Sequence, residues 1–234
     1  MYGAKKGIVM GKIIITEDTT KEPITMIGRY AGECWGADTS DPEKNYKRGL
    51  GCLKSEHGRT WEFPDIYMII DGYSARVIRE WYTHIGGSPS RLQASTRYID
   101  YEHGFEYITP PSIKKNNTAK TIYEKTIKEI NAALLILDGL GIPREDSAML
   151  LPLGMTTKVA CKHNFRNIAD MSGQRECTRA YWEYRNIMIN LHIALSEYSE
   201  QWKLLADMYL KPKCEKVGYC TEAKSCGRKP KKEN

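Results

Sequence analysis

Apolar residues recur along this chain with two distinct periods. Between residues 118 and 138, Tyr123, Ile127, Ile130, Leu134 and Leu137 return at steps of three and four. Lys120, Glu124, Lys125 and Lys128 occupy much of the remaining surface. That spacing predicts a long amphipathic helix over Thr118–Asp138, ended by Gly139 and Gly141. Ala75, Ile78 and Tyr82, with Val77 and Trp81, predict a shorter helix within Tyr73–Tyr82. Pro23–Ala31 predicts a helix with proline in its first turn, and Pro143–Leu151 another short one. Met188–Leu210 predicts a terminal helix or pair of helices, carrying Ile189, Leu191, Ile193, Leu195, Trp202, Leu205 and Met208 to the core. Strands are predicted at Gly11–Thr16, Ile66–Ile70, Phe105–Ile108 and Thr156–Cys161, and Leu92–Tyr98 resumes a regular element before the third of these. Gly32–Gly51, polar and broken by Gly, Asp and Pro, predicts a loop with one helical turn. After Leu210 the apolar periodicity stops. The pattern therefore predicts one domain over residues 1–210 and a tail over 211–234.

Charge sharpens that boundary. The 234 residues carry 35 basic and 29 acidic side chains, a formal +6. Residues 211–234 hold eight Lys or Arg against three Glu, so +5 of the excess belongs to the tail. A basic protein invites a nucleic-acid reading, but here the basicity is local. The N-terminus has Lys5 and Lys6 but no apolar run before a cleavage site, and no stretch approaches the length of a membrane span. The expectation is a cytoplasmic protein without a membrane partner. Seven cysteines, an odd number without a signal, argue against a disulfide scaffold. Cys214, Cys220 and Cys226 form a C-x5-C-x5-C pattern. It is looser than a zinc knuckle, and a fourth ligand such as Cys177 would have to come from elsewhere. No metal is expected.

The densest polar chemistry lies at Arg79–Tyr98, directly behind the apolar run Ile66–Ile78. It contains Arg79, Arg91, Arg97, His84, Gln93, Ser88, Ser90 and Ser95. A second cluster, Asn164–Arg185, supplies Asn164, Arg166, Asn167, Arg175, Arg179 and Glu183. Arginine's planar fork suits phosphate, so the two clusters together point to a phosphorylated ligand. His57 and His84 are the histidines best placed to join them. His163 is a weaker candidate, and His103 and His192 fall in no pattern. Neither G-x-G-x-x-G after a strand, nor a P-loop, nor a G-x-S-x-G elbow is present.

These stretches resemble the flavin-dependent thymidylate synthases, the ThyX family, whose signature is R-H-R-x-x-S-x-N-E-x-S-x-R-Y. His84 matches the signature histidine and Ser88 its first serine; Ser95, Arg97 and Tyr98 match its end once two residues are inserted between Ser90 and Gln93. His57–Glu62 (HGRTWE), Leu150–Leu153 (LLPL), Asn164–Arg166 (NFR), Arg175 nine residues beyond Arg166, and Arg179–Glu183 (RAYWE) are similar to further family segments in the same order. The similarity spans roughly Thr16–Leu210. The chain departs from the signature at Thr83 and Ile85, which replace its first two arginines, at Gln93 for its glutamate and at Ser90 for its asparagine. Ala148 stands where an arginine is usual, and Asp170 where an asparagine is. Arg91 and the inserted Leu92 are where compensation is expected.

The resemblance implies a mixed α/β fold with a central, mostly antiparallel sheet. It also implies a homotetramer whose active sites are shared between subunits. FAD is the implied tightly bound cofactor, with NADPH and 5,10-methylenetetrahydrofolate as co-substrates, and dUMP is methylated at C5 to dTMP. Catalytic roles fall to Arg175, Ser95 and His84. Substrate contacts fall to Arg79, Glu80, Gln93, Ser95, Arg97 and Arg175. His57, His84, Ser88, Asn164, Arg166 and Asp170 are implied at the flavin. Other readings are a related flavin- and folate-dependent enzyme making 5-hydroxymethyl-dUMP, a nucleic-acid-binding protein using its tail, and a ligand-binding regulator without turnover.

Overall fold

The computed structural model describes residues 11–101 and 104–232; His103, the first ten residues and the last two of the tail lie outside the described residues. The chain is mixed α/β. Four strands, β1 (Lys12–Ile15), β2 (Asp65–Ser74), β3 (Ser90–Gln93) and β4 (Thr156–Asn164), form an antiparallel sheet in the order β1-β2-β4-β3. The helices are α1 (Pro23–Cys34), α2 (Pro42–Lys54), α3 (Ala75–Trp81), α4 (Pro111–Lys114), α5 (Asn117–Gly139), α6 (Arg144–Ser147), α7 (Phe165–Arg175), α8 (Trp182–Tyr198), α9 (Glu200–Tyr209) and α10 (Lys213–Val217). Short 3-10 turns occupy Gly58–Glu62 and Ala148–Leu150. No helix among the described residues is long and apolar enough to cross a membrane.

The chain divides into two compact units. One contains Ile70–Glu80 and Leu92–Val159; the other contains Ile13–Ile69, Trp81–Arg91 and the chain from Ala160 onward. The first unit is built on the amphipathic helix that the sequence announces. Ile127 and Leu134 of α5 are buried with Phe105 and Met155, and Tyr123 and Ile130 pack beside them. Asn116 caps α5 through the Ala119 N–H. The predicted strand at Phe105–Ile108 does not form: this stretch contributes only an isolated bridge, Tyr107 to Met155. Its apolar residues are spent on the α5 face rather than on a ladder.

The second unit carries the larger core, with Ile24, Leu53, Ile66, Phe165, Tyr184 and Trp202 fully buried. Here the predicted loop at Gly32–Gly51 is largely helix. Asp41 accepts from the Glu43 and Lys44 N–H groups and starts α2, with Pro42 in its first turn. Two glycines are packing positions, Gly49 within that predicted loop and Gly28 in α1. A Cβ on Gly28 would lie 1.8 Å from the Asn45 carbonyl oxygen, and one on Gly49 would lie 2.0 Å from that of Ile24. The terminal pair of helices forms, and Leu191, Leu195, Trp202 and Leu205 are buried, but Ile189 and Ile193 face outward. Past Leu210 the chain continues as ordered structure: α10 forms, and Lys216 Nζ donates to the Ala169 carbonyl at 2.9 Å.

Candidate active site

Strand alternation in β4 sets the deepest element of the site. Thr157, Val159, Cys161 and His163 share the inward side, and His163 is wholly buried. Its two ring nitrogens are both engaged: Trp81 Nε1 donates to Nε2 at 3.1 Å, and Nδ1 lies 2.6 Å from Asn167 Oδ1. An indole N–H only donates, so Nε2 is bare and Nδ1 carries the proton, which goes to the amide oxygen. Burial pushes the His163 pKa down to about 4 against the hydrogen bond it donates to Asn167, and the charge of Arg91 adds to the lowering.

Above this pair the turn after α3 brings His84 to Arg175, the last residue of α7. Arg175 Nε donates to His84 Nε2 at 2.9 Å. A guanidinium has no acceptor, so His84 is also neutral, with its proton on Nδ1. Burial, then the charges of Arg175 and Arg91, holds the His84 pKa at about 4. Tyr184 underlies both groups, with its ring 4.8 Å from the Arg175 guanidinium carbon and 5.9 Å from the His84 ring. Arg91 closes the turn. Its Nη1 donates to the Trp81 and His84 carbonyls at 3.3 and 3.4 Å, and its guanidinium lies 4.6 Å over the Tyr82 ring. Arg91 is thus the cation at the turn where the signature's arginines are replaced by Thr83 and Ile85.

The same turn leans on the start of α7. Asn164 caps that helix by accepting from the Asn167 N–H at 2.9 Å. Gly87, at φ +71°, sits so close that a Cβ there would meet Asn164 Nδ2 at 2.3 Å. Only glycine fits the backbone and the space together. Ser88 follows at φ 50° and is exposed. Two residues past Asn164, Arg166 pairs with Glu62 at 2.6 Å. Its guanidinium carbon lies 3.6 Å from where a Cβ on Gly58, next to His57, would stand. The structure therefore gathers His57, Glu62, His84, Ser88, Asn164, Arg166 and Arg175 in one unit. Asp170 is exposed on α7, within electrostatic reach of Lys216.

The remaining candidates belong to the other unit. Arg79 is exposed near the end of α3, with Glu80 half-buried beside it. Gln93 Nε2 donates to Thr157 Oγ1 at 3.3 Å, and Ser95 Oγ accepts from the Arg97 N–H at 3.3 Å. Arg97 pairs with Glu145 at 3.2 Å across exposed surface. Ala148 starts a 3-10 turn and lines a small cavity with Thr96, Arg144 and Ser147. The second predicted cluster also splits by role, because Arg179 turns to the tail and pairs with Glu222. Tyr184 is the residue that sequence reasoning missed: nine positions past Arg175, it carries no motif signal. His192 pairs with Asp207 at 2.9 Å and is not part of this group.

Fold and site together define a mixed α/β protein in which a glycine turn, a helix cap and an arginine meet within one compact unit. Residues 17–198 match the family described as thymidylate synthase complementing protein, and the chain belongs to that family. It is 28% identical over 235 residues to a flavin-dependent thymidylate synthase of Nitratidesulfovibrio vulgaris, covering 90% of this chain and 92% of that one. It is 28% identical to the enzyme of the same description from Pyrococcus furiosus, covering 87% and 86%. Among solved structures it is similar in fold to ThyX from Helicobacter pylori complexed with FAD and dUMP, at a TM-score of 0.65 and 16% identity, covering 83% of this chain and 99% of that one. A UMP/dUMP methylase, PolB from Streptomyces cacaoi, bound with 5-Br dUMP, superposes at a TM-score of 0.66 and 15% identity, covering 85% and 95%.

Proposed function

We propose that the protein is a flavin-dependent thymidylate synthase. It transfers the methylene carbon of 5,10-methylenetetrahydrofolate to C5 of dUMP and reduces it, giving dTMP and tetrahydrofolate at the expense of NADPH. The observation that carries this reading is the Arg175–His84 pair over Tyr184, set against the cap of α7 in a chain of this family. Residues 1–210 are the catalytic domain and 211–234 its tail. The enzyme works in the cytoplasm as a homotetramer whose subunits share active sites, with no nucleic-acid or membrane partner.

The residues present fit a flavin dinucleotide by their chemistry. Arg166 and His57 suit its diphosphate. Asn164 Nδ2, His84 Nδ1–H and the Ser88 hydroxyl are donors for ring carbonyls and ribose, with Asp170 an acceptor further along α7. Gly87 leaves no side chain between the turn and Asn164. FAD, when bound, supplies the reducing equivalents.

The chain's own task is placement and charge. His84 and the Tyr184 ring hold the Arg175 guanidinium in one direction, towards the pyrimidine carbonyls of dUMP. Because His84 is neutral, it steers Arg175 without adding a competing charge. Ser95, Gln93 and Arg97 take the phosphate and sugar, with Arg79 and Glu80 from the end of α3. No covalent protein nucleophile is required, and Cys161, whose thiol burial pushes up to about 12, is unsuited to be one.

The product decides the matter. Purified protein is incubated with dUMP, FAD, NADPH and methylenetetrahydrofolate, and the nucleotide is weighed by mass spectrometry. A gain of one methyl group that needs both flavin and folate is expected. A hydroxymethyl product, or unmodified dUMP from flavin-loaded protein, overturns the reading.

A further inference from the structure

Four of the seven cysteines face one cavity. Cys177, two residues past α7, and Cys214, Cys220 and Cys226 of the tail line a space of about 600 Å³ together with Arg179, Lys213 and Lys224. Cys34, Cys52 and Cys161 are not among its lining residues. All seven are free thiols.

The tail has little else to fold it. Between Lys213 and Lys232 only Cys220 is buried. Its links to the rest include the ion pair Arg179–Glu222 at 3.2 Å and the bond from Lys216 Nζ to the Ala169 carbonyl at 2.9 Å, while Arg228–Glu215 at 3.3 Å lies within the tail. Exposed ion pairs of this kind contribute little. Yet the backbone is specific: the Cys220 N–H donates to the Pro230 carbonyl at 2.6 Å, and Cys220 bridges to Lys231. Polar segments of this size usually hold a fixed shape through a cross-link or a structural metal.

A dication stabilises several thiolates brought together on it. The neighbouring Arg179, Lys213 and Lys224 offset the net negative charge that four thiolates leave on it.

We propose that Cys177, Cys214, Cys220 and Cys226 form a tetrathiolate zinc site that fastens the tail to the segment following α7. Among the described residues no three His, Cys, Asp or Glu side chains stand close enough to hold a metal ion in this structure. Binding therefore draws the sulfurs inward from the cavity wall to zinc–sulfur distances of about 2.3 Å. Each thiol loses its proton as its bond to zinc forms, so binding releases protons and weakens at low pH. The C-x5-C-x5-C spacing is too long for a local knuckle. The fold closes the site instead, by bringing Cys177 from the segment after α7. This inference does not depend on the catalytic reading, although zinc at Cys177 would also fix the backbone two residues beyond Arg175.

The test uses the full chain, purified reduced and without chelator, then dialysed against zinc chloride and against zinc-free buffer. Elemental analysis should find one tightly held zinc per chain. Titration with a mercurial should release it to a chromophoric indicator as four thiols react. Cobalt loaded in its place should show the intense visible bands of a tetrahedral thiolate site. Cys226→Ser and Cys177→Ser should lose the metal, while Cys34→Ser, outside the cavity, keeps it. Wild-type protein that retains no zinc, retains iron instead, or links these cysteines as disulfides overturns the proposal. So does undiminished zinc in folded Cys226→Ser protein.

Discussion

His163 and His84 each accept a hydrogen bond from a partner that has only protons to give, Trp81 in one case and Arg175 in the other. Both rings are therefore neutral in the native chain, and each titrates near pH 4 rather than near its ordinary 6.5. The unfolded chain takes up these protons first as pH falls below about 6.5, and the native chain follows only near 4. Stability contributed by these groups is thus fully present above pH 6.5 and is lost as pH falls through the window to 4. For the deeply buried His163 the loss is up to about 3 kcal/mol. Urea midpoints at pH 7 and pH 4.5 should show it. A His163→Gln variant, which can still accept from Trp81 but cannot titrate, should lose less over the same interval. Arg175 has a different signature, because its guanidinium is fixed by His84 and Tyr184 and assigned to substrate. Arg175→Ala should weaken dUMP binding by about 10- to 100-fold, the worth of a charge-assisted hydrogen bond of roughly 1.5–3 kcal/mol. The circular dichroism spectrum should be unchanged, and native dUMP affinity in this variant would remove Arg175 from the site.

The helices show where a glycine strengthens a structure and where it weakens one. Gly28 and Gly49 let α1 and α2 approach until backbone meets backbone. Gly49→Ala should therefore cost about 1–3 kcal/mol or more, as overpacked contacts do. Gly51, two residues on in α2, has nothing within 4 Å of a Cβ position. Gly51→Ala should stabilise by about 0.4–1 kcal/mol. Thermal denaturation of the pair checks both signs. The contrast also explains what sequence reading could reach. The α5 stripe, β2 and β4 were legible because each turns a regular set of apolar positions inward, and β1 was legible from its three consecutive isoleucines. α2 was read as loop because glycine signals a break in sequence and a close approach in space, and only the partner helix tells them apart. Phe105–Ile108 had a strand's composition but served the face of α5. For the site, His57–Glu62 and Asn164–Arg166 were legible as motif segments, and they do meet. Tyr184 and the wedge of Gly87 against Asn164 were not, because both depend on contacts across long sequence separations. Asn164 joins element to site. Asn164→Asp keeps the oxygen that caps α7 but removes the amide donor, so it should retain stability while weakening flavin retention. Asn164→Ala should lose both, the cap alone being worth about 1 kcal/mol. Equal flavin content in the two variants and in the parent would separate Asn164 from the cofactor.

The homotetramer proposed for this chain needs apolar surface to bury, and each unit offers some. On α8, Ile189 and Ile193 lie one helical turn apart and are 55% and 49% exposed, although neighbouring Leu191 and Leu195 are buried. On α5, Ile122 and Ile136 are 62% and 63% exposed. Scattered exposed leucines or isoleucines are ordinary in a monomer. A pair spaced four apart on one helix is a contiguous stripe, and stripes of this kind mark contacts. If α8 lies in a subunit interface, placing charge there carries a desolvation penalty in the assembly and almost none in a free chain. The double variant Ile189→Glu with Ile193→Glu should then keep its secondary structure but fall below tetramer mass in light scattering, with dissociation greatest at low protein concentration. Because the proposed active sites take residues from several subunits, activity should fall with the mass and recover in part as protein concentration rises. A double variant that dissociates yet retains full turnover would show that each chain builds its own site. One that remains tetrameric would move the interface away from α8, leaving the exposed face of α5 as the next surface to charge.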